Sequence, residues 1–303
     1  MRDAPSTEAP TSEARAGFVY ALAAYLLWGA LPVYMKALDH IGAVEIVAHR
    51  IVWSVPVAAL FVTALGHWRD FLRAARQPRV LLAIAASAVL ISLNWLAYIL
   101  SVVWNVASEA ALGYYINPLI SVLIGWALLG ERLQPLQWAA VGLAAVAVAA
   151  LAIAGGTVPW LALVMAVSFA AYGYLRKTVA IGPTEGFLLE VALLAPLALG
   201  YLAWLDGAGE GIFPGEAALL MGTGIVTAVP LILFASGAKR LTLATIGLMQ
   251  YIAPTMIFLT AIFVFREPVG PVKIAAFLMI WTALALYSFA AFRPGTMRAR
   301  TSA

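Results

Sequence analysis

From residue 17 onward the chain is divided by short breaks into apolar runs of about twenty residues, the length that spans a hydrocarbon core of about 30 Å at 1.5 Å per residue. Backbone inside lipid finds no water to bond, so each run must satisfy its own amides and carbonyls as a helix. Ten runs are expected, over 17–38, 44–66, 80–104, 106–129, 136–154, 159–176, 184–204, 217–236, 242–265 and 271–292, with Gly155-Gly156, Gly182-Pro183, Pro214-Gly215 and Gly270-Pro271 marking turns between them. Composition agrees: 64% of residues are hydrophobic and 11% charged, against about 25% charged in a soluble domain. The fold class is therefore an all-α integral membrane protein of ten transmembrane helices, with the lipid bilayer as its first partner.

Residues 1–16 are rich in Ala, Pro, Ser, Thr and Glu and read as a disordered cytoplasmic tail rather than a signal peptide, with a second cytoplasmic tail over 293–303. With both ends inside, 14 of the 18 Lys and Arg residues fall on the inner side, which supports an even number of spans. The net charge of +4 comes without a basic block beside an aromatic face, so nucleic acid is not an expected partner. Cysteine is absent, which excludes disulfides and thiolate chemistry. His40 and His67 fall on opposite sides of the membrane, and no zinc-protease, hydrolase-elbow or phosphate-loop motif occurs. No catalytic residue, metal or cofactor is expected. An intramembrane enzyme and a non-transporting scaffold are the alternatives to transport.

The halves match each other. Tyr115/Tyr251, Pro118/Pro254, Glu131/Glu267 and Pro135/Pro271 lie 136 positions apart, and Gly42/Gly182, Glu45/Glu185 and Pro56/Pro196 lie 140 apart. Repeats over 17–154 and 159–292 hold five spans each, so the copies enter the membrane from opposite sides. Such inverted repeats are the architecture of many alternating-access carriers.

The runs Trp28-Gly29, Pro32-Val33-Tyr34-Met35-Lys36, Ala48-His49-Arg50, Trp53-Ser54, Asn94-Trp95 with Tyr98, Leu112-Gly113-Tyr114-Tyr115-Ile116-Asn117-Pro118-Leu119, Gly130-Glu131-Arg132-Leu133, Arg176-Lys177, Gln250-Tyr251-Ile252 and Pro254-Thr255 resemble the RarD-type branch of the EamA transporters. The resemblance extends from residue 17 to about 292. It implies ten helices, an inner-membrane location and export of a small solute. It also brings the branch's description by chloramphenicol sensitivity, which does not define a physiological substrate.

Depth along the spans picks out Trp28, Trp53, Tyr115, Asn117, Gln250, Tyr251 and Trp281, all roughly 12 to 17 Å in. Trp and Tyr usually collect at the interface, so at the midplane they serve either helix packing or a cavity. Ser87, Asn94, Tyr98, Ser101 and Asn105 share one face of the third run, which is either a cavity wall or a hydrogen-bonded seam. Arg50 joins Trp28, Trp53, Asn94, Tyr98, Tyr115, Asn117, Gln250, Tyr251 and Trp281 as a substrate-binding candidate, with snorkelling to the surface as its alternative. Glu45, His49, Glu109 and Glu190 are the proton-coupling candidates. Pro118 and Pro254 each remove a helical hydrogen bond and are the hinge candidates. Scattered small residues allow a homodimer.

Overall fold

The computed structural model describes residues 12–38, 40–104, 107–155, 160–208, 216–263 and 270–292, and among these the regular structure is entirely helical. The helices are α1 (Ser12–Lys36), α2 (Ala43–Ala64), α3 (Trp68–Ala75), α4 (Pro78–Val103), α5 (Ala107–Leu129), α6 (Pro135–Gly155), α7 (Trp160–Thr178), α8 (Pro183–Gly207), α9 (Ala217–Ala238), α10 (Leu243–Met249), α11 (Ile252–Phe263) and α12 (Pro271–Phe292). Eight of them, α1, α2, α4, α5, α6, α8, α9 and α12, are long and apolar enough to cross a membrane. Leu82, Ile153 and Leu197 are 74%, 81% and 75% exposed. Side chains of that kind, displayed on long apolar helices, are suited to lipid rather than water.

Three local departures from the expected runs have physical causes. Helix α1 begins at Ser12, five residues before the expected start, with Glu13 in the first turn where the helix dipole favours a negative charge. The segment after α2 forms the short amphipathic α3, whose exposed face carries Asp70 and Arg73, joined by a 3.0 Å bond. The run expected over 242–265 is broken at Gln250 and Tyr251 into α10 and α11. Pro254 has no amide hydrogen to return to Gln250, so the ladder fails there. Pro118 lies inside a continuous α5.

The packing forms two lobes. One cluster unites Ala21, Ala24 and Tyr25 of α1 with Ala58 and Val62 of α2, Phe187 and Val191 of α8, and Ala228, Leu231 and Phe234 of α9. The other joins Val122 of α5, Ala140, Ala144 and Ala147 of α6, Leu248 and Tyr251 around α10, and Ala276, Ile280 and Ala283 of α12. Helix α7 lies between α4 and α5. It buries Leu161, Met165, Ser168, Tyr172 and Arg176 together on the face turned to the protein, where that polar content meets neighbouring helices rather than lipid. Small residues permit close approach: a Cβ built at Gly113 would lie 3.2 Å from the Ala162 backbone, and one at Gly237 would lie 3.1 Å from the Gly17 carbonyl. Trp104 and Trp160 pair at one end of the bundle, and Trp126 and Trp138 at the end that carries α3, each pair with ring centres 5.9 Å apart.

Candidate functional site

Arg50 lies two turns into α2, away from the α3 end. Its Nε donates to Thr227 Oγ1 of α9 at 2.9 Å, and its guanidinium carbon stands 5.3 Å from the centre of the Trp95 ring on α4. Tyr114 of α5 and Tyr98 of α4 lie within electrostatic range of the same guanidinium. Both tyrosines remain about two-fifths exposed, so the cluster opens onto accessible space. Among the described residues no carboxylate lies within ion-pair distance of Arg50. A guanidinium stacked on indole and held by one hydroxyl keeps its forked Nη donors for a planar anion.

Trp53 is one turn further along α2, with its backbone against Gly224 of α9. Ser54 Oγ donates to Arg50 O at 2.6 Å and reaches Gly224 O at 3.3 Å. Beside them, His49 and Glu45 are both buried, with Nε2 and Oε1 3.9 Å apart, and neither His49 ring nitrogen has a hydrogen-bond partner among the described residues.

Glu190 of α8 forms a second polar cluster nearer the α3 end. Ser87 Oγ of α4 donates to its Oε1, and Tyr172 Oη of α7 donates to its Oε2 at 3.3 Å. Arg176 is in electrostatic range but beyond direct ion pairing. Its Nη2 donates to Pro183 O at 2.7 Å, while its Nε and Nη1 are buried without hydrogen-bond partners among the described residues. Positions 50 and 190 are 140 apart, and so are 87 and 227. The Arg50–Thr227 and Ser87–Glu190 bonds therefore link positions that correspond under the 140-residue offset, with a charged residue of opposite sign in each.

The other candidates are dispersed. Trp28 packs among Tyr25, Phe169 and Phe234, with ring centres 5.7 to 5.8 Å away. Asn94 donates to Met165 O at 2.9 Å across the α4–α7 seam, and Asn117 accepts from Ser121 one turn on. Tyr251 Oη donates to Tyr115 O at 3.0 Å, so two residues 136 positions apart touch each other. Gln250 is buried in the α10–α11 break beside Tyr25, with its Oε1 unbonded among the described residues. Trp281 donates to Thr255 at 3.0 Å. Glu109 belongs to α5, and its side chain, like Asn105 and Glu267, lies outside the described residues. The structure thus brings Arg50 and Tyr98 together and adds Trp95, Tyr114 and Thr227. Thr227 was recoverable as the 140-position mate of Ser87. Nothing in the sequence separates Tyr114 from its neighbour Tyr115, because depth along a span does not say which of two adjacent residues faces inward.

The α3 end is laced by polar contacts. Glu131 accepts from the Leu243 and Ala244 amides at 2.6 and 2.9 Å, capping α10. Lys177 donates to Ala238 O at 3.1 Å and to Leu241 O, and Lys239 donates to Val179 O at 2.8 Å. Burial, reinforced by Arg176 and Lys177 against the opposing pull of Glu185, lowers the Lys239 amine to about 8. His67 Nδ1 lies 2.8 Å from Glu185 Oε1.

The EamA-like transporter family model matches residues 15–153. Protein RarD of Streptomyces exfoliatus is 44% identical over 93% of this chain and 91% of its own length. The chain belongs to the RarD-type EamA transporters. Protein RarD of Escherichia coli, at 39% identity over 91% of this chain and 94% of its own, and an uncharacterized Bacillus subtilis transporter, at 40% over 92% and 95%, match over the same extent. A solved crystal structure at 21% identity superposes with a TM-score of 0.70 over 94% of this chain and all of that one, so the RarD-type chain shares its fold. This chain is accordingly a multi-pass membrane protein of a transporter family.

Proposed function

We propose that the protein is a secondary carrier that exports a small amphipathic solute across the inner membrane by alternating access, and that Arg50 with Trp95, Tyr98, Tyr114 and Thr227 forms its binding region. The observation that carries this reading is a guanidinium about 10 Å into a span by helical rise, facing accessible space and aromatic rings, with no carboxylate among the described residues within ion-pair distance. Holding a charge there is costly unless it is used. An organic anion or amino acid with an aromatic or apolar body suits it, the carboxylate on the fork and the body against the rings.

Ten spans in two inverted five-helix repeats, with both termini cytoplasmic and the α3 end inside, belong to the same proposal. In that arrangement α7 and the α10–α11 pair supply the two spans beyond the eight long helices. Support comes from paired contacts: α1 packs on α9 as α4 packs on α7, while α2 with α8, α5 with α10, and α6 with α12 each join mates of the two halves. The Tyr251–Tyr115 bond lies where the pseudo-twofold axis of such a repeat would pass. Pro118, and Pro254 beside the break, remain the proposed hinges.

Counterflow in proteoliposomes tests the reading, with unlabelled amino acids, organic acids or chloramphenicol inside and labelled tracer outside. Wild type accumulates tracer only when its partner is trapped inside. Arg50→Ala lowers exchange by at least about tenfold, the loss expected for one charge-assisted pair, and Arg50→Lys restores part of it. A folded protein that exchanges nothing even from a broad trapped metabolite mixture would favour the scaffold alternative.

A further inference from the structure

Glu190 is 2% exposed and lies deep among helices α4, α7 and α8. Both of its oxygens are occupied by hydroxyl donors, Ser87 Oγ from α4 and Tyr172 Oη from α7, and among the described residues no cation stands within ion-pair distance. An ionised carboxylate accepts from both hydroxyls, whereas protonation turns one of its oxygens into a donor and leaves the hydroxyl facing that oxygen without its acceptor. Arg176, the cation in electrostatic range, has two guanidinium nitrogens without partners among the described residues and spends the third on Pro183 O.

The titratable groups around Glu190 can be assigned element by element. On α7 they are Tyr172 and Arg176, and on α4 the polar neighbour is Ser87. On α8 itself, Glu185 is occupied by His67 from the segment before α3, with Lys239 from the end of α9 in electrostatic range. The ionisable groups of α2, Glu45, His49 and Arg50, belong to the opposite half of the bundle, around Arg50.

We infer that Glu190 is a proton-binding site whose carboxylate, bonded to Ser87 and Tyr172, locks α8 to α4 and α7 at the cytoplasmic end, and that protonation releases this lock. The inference rests on the carrier reading for its place in a transport cycle. One proton from water joins one Glu190 oxygen, and the same proton leaves when the lock re-forms; no bond between heavy atoms changes. The matching Arg50–Thr227 contact joins α2 to α9 in the other half. A solute anion at Arg50 and a proton at Glu190 would thus act on joints related by the proposed pseudo-twofold axis.

A readout that needs no cargo is available because the chain has no cysteine. A single cysteine is introduced as Ile84→Cys, fully buried one turn from Ser87 on α4, and a membrane-impermeant maleimide is supplied from the α3 side. One linked proton changes an opening equilibrium by up to about tenfold per pH unit. Because maleimide attacks the thiolate, whose fraction falls on acidification, each rate is divided by that of the same variant unfolded at the same pH, and this corrected rate is expected to accelerate about tenfold as pH falls across the transition. In Glu190→Gln the rate should be independent of pH and equal to the wild-type low-pH rate. Ser87→Ala, which removes a donor and keeps the carboxylate, should label severalfold faster above the transition and converge on the wild-type rate at low pH. His67→Gln should retain the wild-type dependence. Unchanged pH dependence in Glu190→Gln, its loss in His67→Gln, or no pH response in wild type would each overturn the inference. Failure of counterflow would instead remove the carrier reading and leave this result standing.

Discussion

Gly224→Ala tests whether α2 and α9 meet as described. A Cβ at residue 224 overlaps the Trp53 carbonyl group and stands 2.7 Å from Trp53 Cβ, the latter contact alone about 0.7 Å short of the ordinary contact that begins at 3.4 Å. The obstructing atoms are backbone and Cβ, so no rotamer change relieves the overlap and the helices must separate by at least that amount. The Arg50–Thr227 bond, one turn away on both helices, would stretch from 2.9 Å to about 3.6 Å, beyond hydrogen-bond reach. Overpacking of this kind costs about 1–3 kcal/mol, and the lost bond to a charged donor about 1.5–3 kcal/mol more. The assay is thermal unfolding of purified protein in one detergent, against Gly142→Ala and Gly200→Ala, where an added methyl meets nothing within 4 Å. Gly224→Ala should melt several degrees below wild type while the controls match or exceed it. Equal melting of all three would refute the reasoning that α2 and α9 are in backbone contact at this point.

Other consequences are open to direct measurement. Tyr251→Phe removes the hydroxyl that reaches Tyr115 O from a fully buried ring, and should cost about 1 kcal/mol in thermal or denaturant unfolding. Glu131→Gln leaves one acceptor where two amides of α10 now bond; amide hydrogen exchange should quicken at Leu243 or Ala244 and stay unchanged in α12. Lys239 loses its proton near pH 8 instead of near 10.5, so the unfolded chain binds more protons between those values and stability rises with pH across that window. The wild-type melting temperature should therefore gain on that of Lys239→Gln as pH climbs from 8 to 10, and a constant difference would contradict the burial of this amine. The same deprotonation should make Lys239 acylate faster at pH 8 than the exposed Lys273, as read by peptide mass mapping.

Periodicity and length carried most of the helical framework, because lipid leaves the backbone few alternatives. Helices α2, α6 and α12 start within a residue of expectation, while the break at Gln250 and Tyr251 was hidden by apolar residues on both sides. A two-residue interruption changes hydrogen bonding and leaves hydropathy almost unaltered. The candidate site was harder to read. Arg50 stood out because a charge in an apolar run is conspicuous, but Thr227, Tyr114 and Tyr172 are ordinary residues in such runs. Their significance lies in which helix they face, and that depends on contacts between segments far apart in sequence. Asn94 illustrates the reverse: its helical face was readable, yet only the structure shows that its amide is committed to Met165.

The two lysines at the α3 end have one further consequence. Each amine is rooted in one helix end and bonded to carbonyls beyond the other, Lys177 to Ala238 and Leu241, and Lys239 to Val179. A rotation of α7 against α9 withdraws both donors in the same motion and strands carbonyls on both sides. Partial opening would forfeit nearly as much bonding as full opening, so this corner should behave as a snap fastener with two states rather than as an elastic joint.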